Sequence, residues 1–176
     1  MSEPPFTIEP LGQHDRAGFS CGSAPLDHFF ERQVSQDIRR RITACYVAVC
    51  NVSNQIAGFY TLSAAQISVT QLLDCFKKNF PRYPSVPTIR IGRLAIDMKF
   101  QGQGLGSTLL INAIYRSIRA DIAAYAVIVD AKNEGAIAFY RHHGFLDLNA
   151  QERTLFAPLA QFAKAFSFVP AVGIAG

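Results

Sequence analysis

The chain has 176 residues, 49% of them hydrophobic and 17% charged, with a formal net charge of +4 and a pI of about 9.0. That composition supplies a full core for one domain and excludes a disordered chain. A small basic excess suits an anionic ligand, and no apolar run reaches transmembrane length.

The opening "MSEPPFTIEP" is acidic and proline-bearing. It has neither the basic start nor the apolar stretch of a secretory signal, so a cytoplasmic protein is expected. Cys21, Cys45, Cys50 and Cys75 form no CxxC pair and read as buried free thiols of a reducing compartment. Adjacent His142 and His143 do not share a helix face, and no HExxH or Cys/His spacing occurs, so no metal is expected.

"FTIEPL" predicts a first strand. "SAPLDHFFERQVSQDIRRR" predicts a helix starting near Ser23 or Asp27, with Leu26, Phe29, Phe30 and Val34 at helical spacing. "TACYVAVC" and "QIAGFYTLSAAQI" bracket the turn "NVSN" and predict a hairpin. "VTQLLDCFKKNF" predicts a short helix stopped by Pro81, and "TIRIGRLAIDM" the next strand. Leu110, Ile114 and Ile118, flanked by Ile111, then predict an amphipathic helix. "AAYAVIVDA" reads as a strand buried on both faces. "NEGAIAFYRHH" reads as a helix with Asn133 as N-cap and Gly144 as its stop, and "RTLFAPL" as a last strand. The segment beyond about residue 160 stays unassigned. A single α/β (α+β) domain over 1–176 is expected, with a mixed, mostly antiparallel central sheet flanked by helices.

Three of the twelve glycines crowd into "QGQGLGS", between the strand and the amphipathic helix. Glycine lets backbone N–H groups converge on a ligand, and a helix N-terminus favours an anion. The loop lacks the lysine of a P-loop, and Ser107 stands where a dinucleotide fingerprint needs its third glycine. Gln101, Gly104 and Gly106 match a third pattern: Gln or Arg, two residues, Gly, one residue, then Gly or Ala. This loop and the later "NEGAIAFYRHHGF" resemble the GNAT family of acyl-CoA N-acyltransferases.

The resemblance implies a GNAT fold and acetyl-CoA. It places the coenzyme's pyrophosphate at Gln101, Gly102, Gln103, Gly104, Leu105, Gly106 and Ser107. The pantetheine arm would lie along the backbone of Leu94, Ala95 and Ile96, with Asn133 and Phe139 beside the coenzyme. Tyr140 would be the general acid at the sulfur. No strong general base stands out; Asp97, Glu134, His142 and His143 are near in sequence only. An α-amine, with a pKa near ~8, needs less help from a base than a lysine amine does.

"CGSAPLDHFFERQVSQDIRRR", "GFYTLSAAQI" and "RTLFAPL" extend the resemblance to one GNAT branch, the toxins of bacterial type II toxin–antitoxin pairs. Its implications are acetylation of the α-amine of aminoacyl-tRNA, a block of translation, a ribbon-helix-helix antitoxin and a homodimer. Arg39, Arg40, Lys77, Lys78, Arg82, Arg90 and Arg93 are the basic residues a polyanionic tRNA would use. Arg90 and Arg93 are expected on one sheet face. The competing readings are an ordinary GNAT enzyme acting on a small amine or a protein N-terminus, and a GNAT-like binding module without catalysis, against which the intact Gln101–Gly106 loop and Tyr140 weigh.

Overall fold

The computed structural model describes residues 4–148 and 153–166. Seven strands form one mixed sheet in the order β1-β2-β3-β4-β5-β7-β6, flanked by helices. The strands are β1 (Phe6–Pro10), β2 (Ala44–Cys50), β3 (Ile56–Ser68), β4 (Ser85–Ile96), β5 (Ala126–Asp130), β6 (Leu146–Asp147) and β7 (Thr154–Pro158). β1–β2, β2–β3, β5–β7 and β6–β7 are antiparallel. β4 lies beside β5 in the sheet, and the chain passes from one to the other through a helix. The chain divides into two compact units: residues 1–63 with 91–113, and 64–90 with 114–176.

In the first unit the predicted long helix is broken into α1 (Ala24–His28), a π-helical turn (Phe29–Gln33) and α2 (Val34–Arg39). The π turn turns Phe29, Phe30 and Val34 inward together, where periodicity alone predicts plain α-helix. Phe30 stacks on Phe59 with centroids 4.2 Å apart and planes 8° from parallel. These residues form one core with Val47, Val49, Ile56 and Ala95. α2 ends in a Schellman motif: Arg41 N–H donates to Ile38 O at 3.0 Å and Ile42 N–H to Asp37 O at 2.9 Å. The left-handed position that such a cap gives to glycine is held here by Arg41, at φ 60.

Gly58 on β3 is where bare backbone is required. A Cβ there would stand 2.8 Å from Ile96 Cδ1 and 2.9 Å from the Ala95 carbonyl oxygen, so any side chain would push β4 away. The hairpin prediction holds, with Asn54 at φ 59 in its turn.

In the second unit the helix predicted over "VTQLLDCFKKNF" is not continuous. β3 runs on to Ser68, whose side chain caps a 3-10 turn at Val69–Gln71; Leu72 and Leu73 are extended, and α3 (Asp74–Lys77) is a single turn. The extended pair lets Leu72 enter a core with Ile67, Val86, Ile128 and Phe156. β5 is buried from Ala126 to Val129, as its unbroken apolar run predicts.

α4 (Leu105–Arg119) buries Leu109, Leu110, Ala113 and Ile114 but leaves Ile111 exposed. α5 (Glu134–His142) and α6 (Leu159–Phe166) complete the helices. α6 lies in the segment left unassigned from sequence, and the tail beyond it falls outside the described residues. The expectation that all four cysteines are buried fails. All four are free thiols, but only Cys45 is buried, and Cys75, on the single turn α3, is exposed. No helix among the described residues is long and apolar enough to cross a membrane.

Candidate active site

The first unit carries the glycine loop. Gly102 and Gly104 both sit at φ +77, the left-handed region that glycine adopts without strain. A Cβ on either would meet nothing within 4 Å, so both open a bare backbone surface to solvent. α4 begins at the next residue, and its first N–H groups have no intrahelical partner. Positive φ, open space and a helix start give the cradle that a pyrophosphate requires, and the residues present fit acetyl-CoA. Gln103 and Ser107 lie on this segment, with Leu105 buried beneath it.

Gln101 faces the other way. Its Nε2 donates to Ile96 O at 2.9 Å and to Cys21 O at 3.2 Å, so its side chain ties the loop to β4 and to the segment before α1. Asp97, near in sequence to the site, is no free base. It is 4% exposed, and its two oxygens accept the Ser20 and Lys99 backbone N–H groups at 3.0 and 2.9 Å. Leu94 and Ile96 are half-buried and Ala95 is buried at the end of β4.

The second unit carries α5. Asn133 Oδ1 accepts the Ala136 N–H at 2.9 Å, so this side chain caps the helix as predicted. Gly144, at φ +90, ends it in a second Schellman motif: Gly144 N–H donates to Arg141 O at 3.0 Å and Phe145 N–H to Tyr140 O at 3.1 Å. The apolar contact that accompanies such a motif is Tyr140 against Phe145, centroids 5.4 Å apart. The "HHGF" ending of the helix therefore fixes where Tyr140 stands.

Tyr140 is 9% exposed and also packs on Phe139 at 5.2 Å. Burial pushes its hydroxyl up to about 12, because the phenolate loses its hydration. No described residue hydrogen-bonds that hydroxyl, so it is a proton donor that nothing in the described fold uses. The other candidates for acid–base work are engaged or exposed. His143 Nδ1 lies 2.8 Å from Phe139 O, and Glu134 and His142 face solvent.

The basic residues divide between the units. Arg39 and Arg40, in the first, are exposed at the end of α2 with no ion-pair partner among the described residues. Arg93 lies 3.6 Å above the Phe29 ring, a cation–π contact. In the second unit Arg90 pairs with Asp130 on β5, and Thr154 Oγ1 donates to the same carboxylate at 2.7 Å. Lys77 pairs with Asp74 at 3.2 Å, whereas Lys78 and Arg82 are exposed. Arg90 and Arg93 are thus held by different elements, Arg90 by a carboxylate and Arg93 by an aromatic face. Sequence reading missed Asp130, the π turn and Arg41; the last two carry no signal at helical spacing.

Against known proteins, a model of the acetyltransferase (GNAT) family matches residues 14–145. A tRNA-acetylating toxin of Mycobacterium tuberculosis is 34% identical over 133 residues, covering 74% of this chain and 78% of that protein. AtaT complexed with acetyl-methionyl-tRNAfMet superposes with a TM-score of 0.85 at 31% identity, covering 92% of this chain and 99% of that one. A mutant AtaT toxin bound to the C-terminus of the antitoxin AtaR and acetyl-CoA gives 0.79 at 29% identity, covering 93% and 99%.

Proposed function

The chain belongs to the acetyltransferase (GNAT) family, and we propose that it is a toxin that acetylates the α-amino group of aminoacyl-tRNA and so blocks translation. It is an N-acetyltransferase that uses acetyl-CoA. The observation that carries the reading is the Gly102–Gly104 cradle opening α4, in a chain that resembles tRNA-acetylating toxins along most of its length.

When bound, acetyl-CoA supplies an acetyl group activated as a thioester. The N–H groups at the start of α4 would hold the diphosphate, and the backbone of Leu94–Ile96 at the end of β4 would run along the arm. A backbone N–H of this segment would polarise the reacting carbonyl. Tyr140 keeps its proton throughout the neutral range, and the family resemblance would make it the donor to the departing sulfur. Moving that proton from a group near 12 to a thiolate of pKa ~8.5 is uphill by roughly 5 kcal/mol. Its role is therefore a donated hydrogen bond that tightens as sulfur charge develops, with full transfer arriving late.

No carboxylate or imidazole in the described residues near these positions is placed as a strong base. Asp97 is fully used by backbone, and His143 leans on Phe139. That favours an amine already neutral at physiological pH, such as the α-amine of an aminoacyl ester, over a lysine side chain. The exposed Arg39, Arg40, Lys78 and Arg82 suit the tRNA backbone, and Arg93, steadied on Phe29, suits a phosphate closer to the reacting end. A ribbon-helix-helix antitoxin, a homodimer, a single domain over 1–176 and a cytoplasmic site of action belong to the same proposal.

Cell-free protein synthesis tests it. Added protein should stop synthesis when acetyl-CoA is supplied and leave it unchanged when acetyl-CoA is omitted. Synthesis that continues with acetyl-CoA present would return the enzyme to ordinary amine acetylation.

A further inference from the structure

Residues 20–22, "SCG", are held from two sides within the first unit. From the coenzyme side, Asp97 Oδ2 accepts the Ser20 N–H at 3.0 Å, and the Met98 N–H donates to Ser20 O at 2.9 Å. Gln101 Nε2 donates to Cys21 O at 3.2 Å. From the helix side, Asp27 on α1 accepts the Cys21 N–H at 2.8 Å through Oδ1 and the Ser20 hydroxyl at 3.1 Å through Oδ2. Gly22, at φ +89, leaves a Cβ position 3.5 Å from Met98 Sδ, so the chain turns toward α1 against the Met98 side chain. Both carboxylates are thus spent on this one tripeptide and its anchor.

The segment connects two parts of the site. Asp97 and Gln101 flank the turn that delivers the glycine cradle. α1 leads straight into the π turn that carries Phe29, on which Arg93 rests. Backbone N–H groups that donate to a part-buried carboxylate make short, strong hydrogen bonds, so the segment is tied firmly at both ends.

We propose that Ser20–Gly22 is a coupling strap, and that Asp97 and Asp27 are positioning residues through which an occupied coenzyme cradle sets the α1–π-turn segment and Arg93 for the tRNA acceptor end. The inference rests on the tRNA reading above. Coupling between two sites is reciprocal: coenzyme must tighten tRNA binding by the same factor as tRNA tightens coenzyme binding.

The test is calorimetric affinity for coenzyme A, with and without saturating deacylated total tRNA, on the full chain. The wild type should bind coenzyme A at least ~5-fold more tightly when tRNA is present. Asp97→Asn, which turns an amide toward one buried N–H, should bring that factor close to one. Ser20→Ala removes one hydroxyl donor to Asp27 and should lower the factor in a protein whose melting temperature stays near wild type. A role limited to folding would shift melting and leave the factor alone. An unchanged factor in both folded variants, or a factor of one in wild type that binds tRNA, overturns the strap. Wild type that binds coenzyme A but no tRNA overturns the tRNA reading, and the strap with it.

Discussion

Tyr140→Phe should bind acetyl-CoA within about twofold of wild type and lose roughly 10²–10⁴-fold in acetyl transfer, the usual worth of one positioned proton donor. The ring is retained, so its packing on Phe139 and Phe145 survives and the Schellman motif, made of backbone groups, is untouched. Only the unpartnered hydroxyl is lost. Steady-state turnover beside calorimetric coenzyme affinity separates the two effects, and near-normal turnover would remove Tyr140 from the chemistry. The pH dependence has a definite sign. The folded hydroxyl sits at about 12 and an unfolded tyrosine at ~10, so the native state holds this proton more tightly. Its contribution to stability is complete below pH ~10 and is lost as pH rises from there toward 12. The donor stays protonated across the whole physiological range, so no alkaline loss of activity below pH ~10 should trace to it.

Gly104→Glu should weaken acetyl-CoA binding by at least ~100-fold. Two causes add. A side chain at φ +77 costs about 1–2 kcal/mol of left-handed strain, and a carboxylate enters the space where a diphosphate is held. Gly104→Ala separates them, since it carries the strain with only a methyl group in the cradle, and should weaken binding far less. Calorimetry on both variants decides; tight binding by Gly104→Glu would remove the loop from the coenzyme site.

Features governed by neighbours in sequence were legible before the fold was known. The glycine loop, the Asn133 cap and the Gly144 stop all depend on bonds spanning a few residues, and the structure has each in place. The buried run of β5 was legible because a strand covered on both faces needs no alternation. What escaped depends on distant partners. Asp97 and Ser20 are 77 positions apart, Arg90 and Asp130 40, and no local pattern announces either pair. Gln101 fits the coenzyme pattern by spacing, yet its side chain is turned onto two backbone carbonyls. The π turn escaped because its residues have the same composition as an α-helix; packing of Phe29 and Phe30 on Phe59 selects the wider turn. Leu72 and Leu73 misled for a similar reason, since two leucines favour a helix until a core demands one of them in extended backbone.

Transfer of labelled acetyl from acetyl-CoA to a mixed pool of charged tRNA tests the central claim most directly, run beside the same pool deacylated and a panel of free amines. Label should appear on charged tRNA alone and leave with the amino acid when the ester is hydrolysed. Label on free amines, with none on charged tRNA, would contradict the toxin reading while leaving the coenzyme cradle and Tyr140 in place.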